Sequence, residues 1–137
     1  MNDNSIVKVF DGEELVAIII KKQFEKKVIE FFTPNDYSQQ LAYMSRPAGY
    51  KIKAHIHNKV QREVNMTQEV LFIRTGAVRV DFYDQNKSVF RSEVLMPGDI
   101  ILLASGGHGF SMLESTEMIE VKQGPYAGEA DKTYLEN

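Results

Sequence analysis

The sequence predicts an all-β domain, and two observations carry that prediction. Short runs rich in β-branched residues are separated by Gly, Pro, Asn and Asp at fairly regular intervals, which is typical of a sandwich or barrel. In the run VRVDFYD, the apolar residues Val78, Val80 and Phe82 alternate with the polar residues Arg79 and Asp81. One face of that strand is therefore expected to be buried and the other to meet water.

The first third of the chain, residues 1–48, is expected to supply additional N-terminal strands. Two β-branched runs, 6–10 and 15–20, flank a turn at Asp11 and Gly12. Residues 21–32 fit either a helical face or a strand, and a turn followed by a strand is preferred; the run LAYMS then resumes as a strand. From Gly49 onward strands are expected near 50–57, 69–75, 77–84, 88–95, 100–104, 108–113 and 117–122. The tail, residues 123–137, is expected to be irregular.

Length and composition limit the classes of function that this chain is expected to have. A chain of 137 residues suits a single domain, here 1–137. Its 16 Lys and Arg against 19 Asp and Glu give a net charge of −3, and the basic residues are scattered, so nucleic acid is not an expected partner. The longest aliphatic run, Leu15 to Ile20, is too short for a membrane span, and the first residues do not read as a secretion signal. A cytoplasmic protein is expected.

The three histidines of the chain suggest a metal site. His55 and His57 are one residue apart, so on a strand both imidazoles would project from the same face. His108 follows the turn at Gly106 and Gly107. With no cysteine in the chain, a metal would have to be held by N and O ligands. Three imidazoles and the carboxylate of Glu69 would leave one or two positions of an octahedral ion open for a substrate or oxygen.

Several fixed intervals around these residues agree with one known pattern. In residues 49–76, Gly49 stands six positions before His55, and Glu69 is followed by six residues and Gly76. In residues 95–113, Pro97-Gly98-Asp99 forms a turn ahead of the third histidine. This arrangement resembles the two motifs of the cupin superfamily, and the resemblance covers about half of the chain.

The resemblance implies a fold and a ligand set. Cupins are small double-stranded β-helices, or jelly-roll barrels, so this chain would be a cupin barrel with extra N-terminal strands. The implied metal ligands are His55, His57, Glu69 and His108, around one divalent transition metal that could be iron, manganese, nickel or zinc. The asparagine that often follows the last histidine in the family is replaced here by Met112.

One departure from the family lies between the second histidine and the glutamate. Cupins usually place the glutamate four or five residues after the second histidine, whereas here residues 58–68 separate His57 from Glu69. Glu63 is a rival ligand, but only Glu69 keeps the six-residue interval to Gly76. The loop 58–68 is where we expect selectivity to lie.

Residues beside the ligands suggest what could bind. If the strand is regular, Lys51 and Lys53 share the face of the histidines, and their ammonium groups would attract a carboxylate or phosphate. The alternative is that a bulge breaks the alternation and leaves both lysines in water. Tyr43 could reach the cavity as a proton donor, and Phe110 and Met112 would give it an apolar wall, although core packing is the simpler interpretation of all three.

Two functional hypotheses remain open. The first is an enzyme whose metal acts as a Lewis acid or binds oxygen, on a small polar or anionic molecule such as a keto acid or sugar derivative. Its reaction could be an oxygenation or an isomerisation. The second is a non-catalytic module that binds a small molecule or a metal; a metal-free remnant is a third possibility. A homodimer is expected, because a second subunit can cover strand edges and faces that a small barrel exposes.

Overall fold

The computed structural model describes residues 5–136, and in that range the regular secondary structure is almost entirely β. All strand pairs are antiparallel. A single turn of 3-10 helix, Gly128–Asp131, follows the last strand, and no helix among these residues is long and apolar enough to cross a membrane. The strands are β1 (Ile6–Asp11), β2 (Glu14–Ile20), β3 (Glu30–Phe31), β4 (Ala42–Tyr43), β5 (Glu69–Thr75), β6 (Val78–Tyr83), β7 (Val89–Leu95), β8 (Ile100–Leu103), β9 (Gly107–Met112) and β10 (Glu117–Lys122).

The chain forms two compact units. The first, which we call the sheet unit, contains the residues up to Phe24 and those from Thr67 onward. The second, the inserted unit, is Glu25–Met66. Each unit is described by itself below.

The sheet unit consists of two antiparallel sheets that share one core. Five strands pair in the order β1-β2-β8-β5-β10 and three in the order β7-β6-β9. The core takes alternate residues from both sheets, with Ile73 and Ile101 from the larger and Val78, Val80 and Phe82 from the smaller, all at most 2 % exposed. The alternation seen in VRVDFYD is therefore confirmed as a half-buried strand.

The turn at Pro97-Gly98-Asp99 is held by its aspartate. Asp99 is 3 % exposed and accepts hydrogen bonds from the backbone amides of Lys22 and Met96, each at 2.8 Å, and from Lys21 Nζ at 3.1 Å. These bonds satisfy a buried carboxylate that would otherwise be costly. They also tie the end of β2 to the start of β8, its neighbour and the central strand of the larger sheet.

The inserted unit has little regular structure. Its strands β3 and β4 pair through two residues each, which is far shorter than the strands expected at the end of residues 21–32 and in LAYMS. The strand expected at 50–57 is wrong: residues 51–65 have no regular secondary structure. A stable strand needs a paired neighbour and a face that is buried. Here Ile52 and Ile56, on the apolar side of the alternation, are 60 % and 85 % exposed.

Candidate functional site

Two of the four predicted metal ligands meet in the sheet unit. Glu69 is the first residue of β5 in the larger sheet and has the parity of Leu71 and Ile73, which point into the core. His108 lies on β9 of the smaller sheet, in register with the buried Phe82. His108 Nε2 lies 2.8 Å from Glu69 Oε1. A carboxylate and an imidazole thus join the two sheets at one end of an apolar core.

The electrostatics of this pair keep the carboxylate ionised. The hydrogen bond from His108 lowers the pKa of Glu69 to about 2, against the opposing effect of partial burial, and a hydrogen bond with Glu120 and the charge of Lys122 add to the lowering. The side chains of Glu69 and His108 are 15 % and 27 % exposed. The pair is therefore sheltered but still accessible from solvent, as a binding site requires.

A second carboxylate at this site was not foreseen from the sequence. Glu120, on β10, is in register with Leu71 and so shares the inward face of Glu69. Its hydrogen bond with Glu69 raises the pKa of Glu120, and burial acts in the same direction. The strand at 117–122 was predicted, but its pairing with β5 depends on the tertiary fold. Alternation within EMIEVK, which puts Glu120 on the same side as Met118, was the available signal.

The other two predicted ligands lie in the inserted unit. His55 and His57 are exposed, and their rings are 5.2 Å apart at an interplanar angle of 78°. His55 Nδ1 donates a hydrogen bond to the backbone carbonyl of Lys53 at 2.8 Å. Because a carbonyl can only accept, Nδ1 carries a proton, and a metal would have to bind His55 through Nε2. The two imidazoles are neighbours without the strand that was expected to align them.

The structure therefore presents two pairs of candidate ligands, one in each unit. Among residues 5–136, no three or more His, Asp or Glu side chains are arranged as a ready metal-binding group. The chemistry of the Glu69–His108 pair nevertheless fits a divalent transition metal, which favours imidazole nitrogen and carboxylate oxygen. Metal binding to such ligands releases their protons. The proton that now joins Glu69 and His108 is one that a cation could displace.

On β9, the residues expected to form an apolar wall share the parity of His108. The Phe110 ring lies 5.5 Å from the His108 ring at 62°, and it is partly buried against the core. Met112 is 47 % exposed. Phe110 therefore lies directly beside the imidazole, where it limits the orientations that His108 can adopt.

The remaining candidates lie in the inserted unit. Tyr43 ends β4 and is half-buried, whereas Lys53 and the rival ligand Glu63 are exposed in the irregular segment. The backbone of Lys53 has a defined role, because its carbonyl accepts the hydrogen bond from His55. Lys51 is also exposed there.

No protein-family model, curated protein or solved structure matches this chain. The likeness to cupins therefore depends on the intervals within the sequence itself.

Proposed function

We propose that the chain is a metal-binding protein of the cupin type, in which Glu69 and His108 hold a divalent transition metal ion, either iron, manganese, nickel or zinc. The observation that carries the proposal is the 2.8 Å contact between His108 Nε2 and Glu69 Oε1 at one end of an apolar core. Replacing a partly buried ion pair with apolar residues often leaves a protein equally stable. A pair kept in such a place is consistent with a role in binding.

The arrangement of the sheet unit supports the cupin barrel as its fold. A five-stranded and a three-stranded antiparallel sheet share one core, as the two sheets of a jelly roll do. The glutamate of the first motif and the histidine of the second also lie in these sheets, since Glu69 opens β5 and His108 lies near the start of β9. We propose that the sheet unit is the main part of such a barrel.

His55 and His57 are proposed as further ligands of the metal. The motif intervals support this role, as does the hydrogen bond of His55 Nδ1, which leaves Nε2 as the nitrogen available to a metal. Glu120 is the other candidate, because it is hydrogen-bonded to Glu69. The two alternatives differ in which substitution removes the metal.

We further propose that the bound metal acts on a small polar or anionic molecule, such as a keto acid or sugar derivative. An ion held by so few protein ligands keeps positions open for a substrate or oxygen. Lys122, in register with Glu69 on β10, supplies a positive charge beside the carboxylates that an anionic ligand would find favourable. The open positions serve equally for oxygenation and for isomerisation.

Elemental analysis of purified variants tests the proposal. We expect the wild-type protein to carry metal, and Glu69→Gln and His108→Gln each to lose most of it. Glu117→Gln, an exposed glutamate on β10, is the matched control and should keep it. Wild-type metal content in Glu69→Gln combined with His108→Gln would overturn the proposed site.

The same measurement separates the candidates for the further ligands. Metal loss in His55→Gln combined with His57→Gln supports the four-ligand set, whereas loss only in Glu120→Gln assigns that role to Glu120. Turnover of a panel of keto acids by the metal-loaded wild type then tests whether the protein is an enzyme. A protein that binds metal and these acids without converting them would be a binding module.

A further inference from the structure

The end of the chain crosses the sheet unit close to the Glu69–His108 pair. We call residues Gly128–Glu136 the C-terminal strap. It begins with the 3-10 turn Gly128–Asp131, where the side chain of Asp131 accepts a hydrogen bond from Thr67 Oγ1. Thr67 stands two residues before Glu69, so the first attachment of the strap lies at the entrance to β5.

The second attachment lies at the entrance to β9, directly before His108 in the sequence but on the opposite face of that strand, where Tyr83 also lies. A Cβ placed on Gly107 would lie only 2.4 Å from Leu135 Cδ1 and 3.1 Å from Tyr83 Cβ. Gly107 does not have a positive φ, so a side chain added there would not strain the backbone, but it would displace the end of the Leu135 side chain. Leu135 therefore occupies the space that a side chain at Gly107 would fill, and we call this space the Gly107 seat.

The strap therefore runs from the larger sheet to the smaller one at the end where the pair is found. Thr67 leads into β5 of the five-stranded sheet, and Gly107 opens β9 of the three-stranded sheet. Between the two attachments, Lys132 is close enough to act on Glu120. The hydrogen bond with Glu69 raises the pKa of Glu120, and the positive charge of Lys132 opposes that rise.

Few interactions hold the second attachment. Leu135 is half-buried and its neighbours Thr133 and Tyr134 are exposed, while the exposed Glu136 adds one side-chain hydrogen bond with Tyr83. Residues 132–136 belong to no strand, so their release breaks no sheet ladder. Segments with little buried apolar surface and no ladder bonds open locally at much lower free energy than a core strand.

We propose that the C-terminal strap is a cover for the Glu69–His108 site that opens when Leu135 leaves the Gly107 seat, while the turn at Asp131 stays attached to Thr67. The opened strap would expose His108 and carry Lys132 away from the carboxylates. What the cover admits rests on the function proposed above. The opening itself does not, because every contact that defines it lies within this chain.

Chemical modification of His108 tests the opening without any metal. In a background with His55→Gln and His57→Gln, His108 is the only histidine left in the chain, so its reaction with diethyl pyrocarbonate is measured without interference. We expect Leu135→Ala to raise the rate of modification about tenfold, because the truncated side chain loses most of the apolar contact that holds the strap.

Tyr134→Ala is the matched control, since Tyr134 is adjacent in sequence and 74 % exposed, and its rate should equal that of the background. A chain shortened after Thr133 gives a second way to empty the seat and should match Leu135→Ala. Equal rates in Leu135→Ala, the shortened chain and Tyr134→Ala, with circular dichroism unchanged, would overturn the cover.

Chelator exchange then links the cover to the metal. After loading with Ni²⁺, Leu135→Ala should lose the ion to excess EDTA faster than Tyr134→Ala does. A protein that binds no Ni²⁺ yet shows faster His108 modification in Leu135→Ala would reject the metal site and keep the cover. Faster metal loss in Tyr134→Ala than in Leu135→Ala would contradict the cover.

Discussion

The same sequence pattern has opposite outcomes in the two units. In β6 of the sheet unit, Val78 and Val80 alternate with polar residues and are fully buried. In the inserted unit, Ile52 and Ile56 alternate with lysines and histidines just as regularly, yet both are exposed and no strand forms. Alternation thus specifies which residues would share a face, whereas a neighbouring strand and a surface to bury decide whether the strand exists.

The largest effect on the free energy of unfolding is expected from replacing a buried isoleucine of the sheet unit, compared with an exposed isoleucine of the inserted unit. Ile101, on β8, is 0 % exposed, whereas Ile56 is 85 % exposed. Truncation of Ile101 to Ala removes core contacts and leaves a cavity, so Ile101→Ala should lower the free energy of unfolding by about 4 kcal/mol. Ile56→Ala should change it by less than about 0.5 kcal/mol. Urea unfolding followed by circular dichroism measures both values, and a similar loss in both variants would refute the contrast between the units.

A smaller effect is expected when a glycine of the first motif is replaced by alanine. One of these glycines, Gly76, lies in the sheet unit, and the other, Gly49, lies in the inserted unit. Gly76 and Gly49 have φ of 90° and 85°, so a side chain is strained at either position. A Cβ at Gly76 would also lie 2.3 Å from the backbone oxygen of Ser115, whereas at Gly49 nothing lies within 4 Å. We expect Gly76→Ala to cost about 3 kcal/mol and Gly49→Ala about 1 kcal/mol.

Thermal and urea unfolding of these two variants, with wild type measured alongside, give the comparison. Equal losses would show that the backbone strain alone decides the cost and that the crowding at Ser115 relaxes freely.

What the sequence predicted well was local. The strands at 69–75 and 117–122 have the predicted bounds, because β-branched residues and turn-forming glycines act within a few positions of each other. The position of Glu69 at the head of β5 also followed from its distance to Gly76. These features need no knowledge of which strands become neighbours.

What the sequence did not reveal was pairing. Glu120 reaches Glu69 only because β10 pairs with β5, and Leu135 meets Gly107 only because the strap crosses to β9. The absence of a strand at 50–57 has the same origin, because alternation within that segment does not specify a neighbour that would cover its apolar face. Contacts between residues distant in sequence depend on the whole fold, which periodicity within one segment does not encode.

The smallest expected effect is the contribution of the Glu69–His108 pair to the stability of the sheet unit, which depends on pH. The pKa of Glu69 is depressed from 4.5 to about 2, chiefly by the hydrogen bond from His108. A depressed carboxyl pKa contributes stability that is present above the ordinary pKa and is lost as the pH falls. In the metal-free protein this contribution should therefore disappear between about pH 4.5 and about pH 2. Because the carboxylate is partly solvated, we expect about 1 kcal/mol rather than the full value of the shift.

The measurement is urea unfolding of wild type and Glu69→Gln across that range, since the difference between them isolates Glu69 from the other acids. Glu120 acts with the opposite sign, because its raised pKa favours the protonated native state and stabilises the protein less as the pH rises. Glu120→Gln should therefore gain stability relative to wild type above the range in which Glu69 titrates. A constant difference between wild type and Glu69→Gln at every pH would show that the pair does not contribute to the stability of the sheet unit.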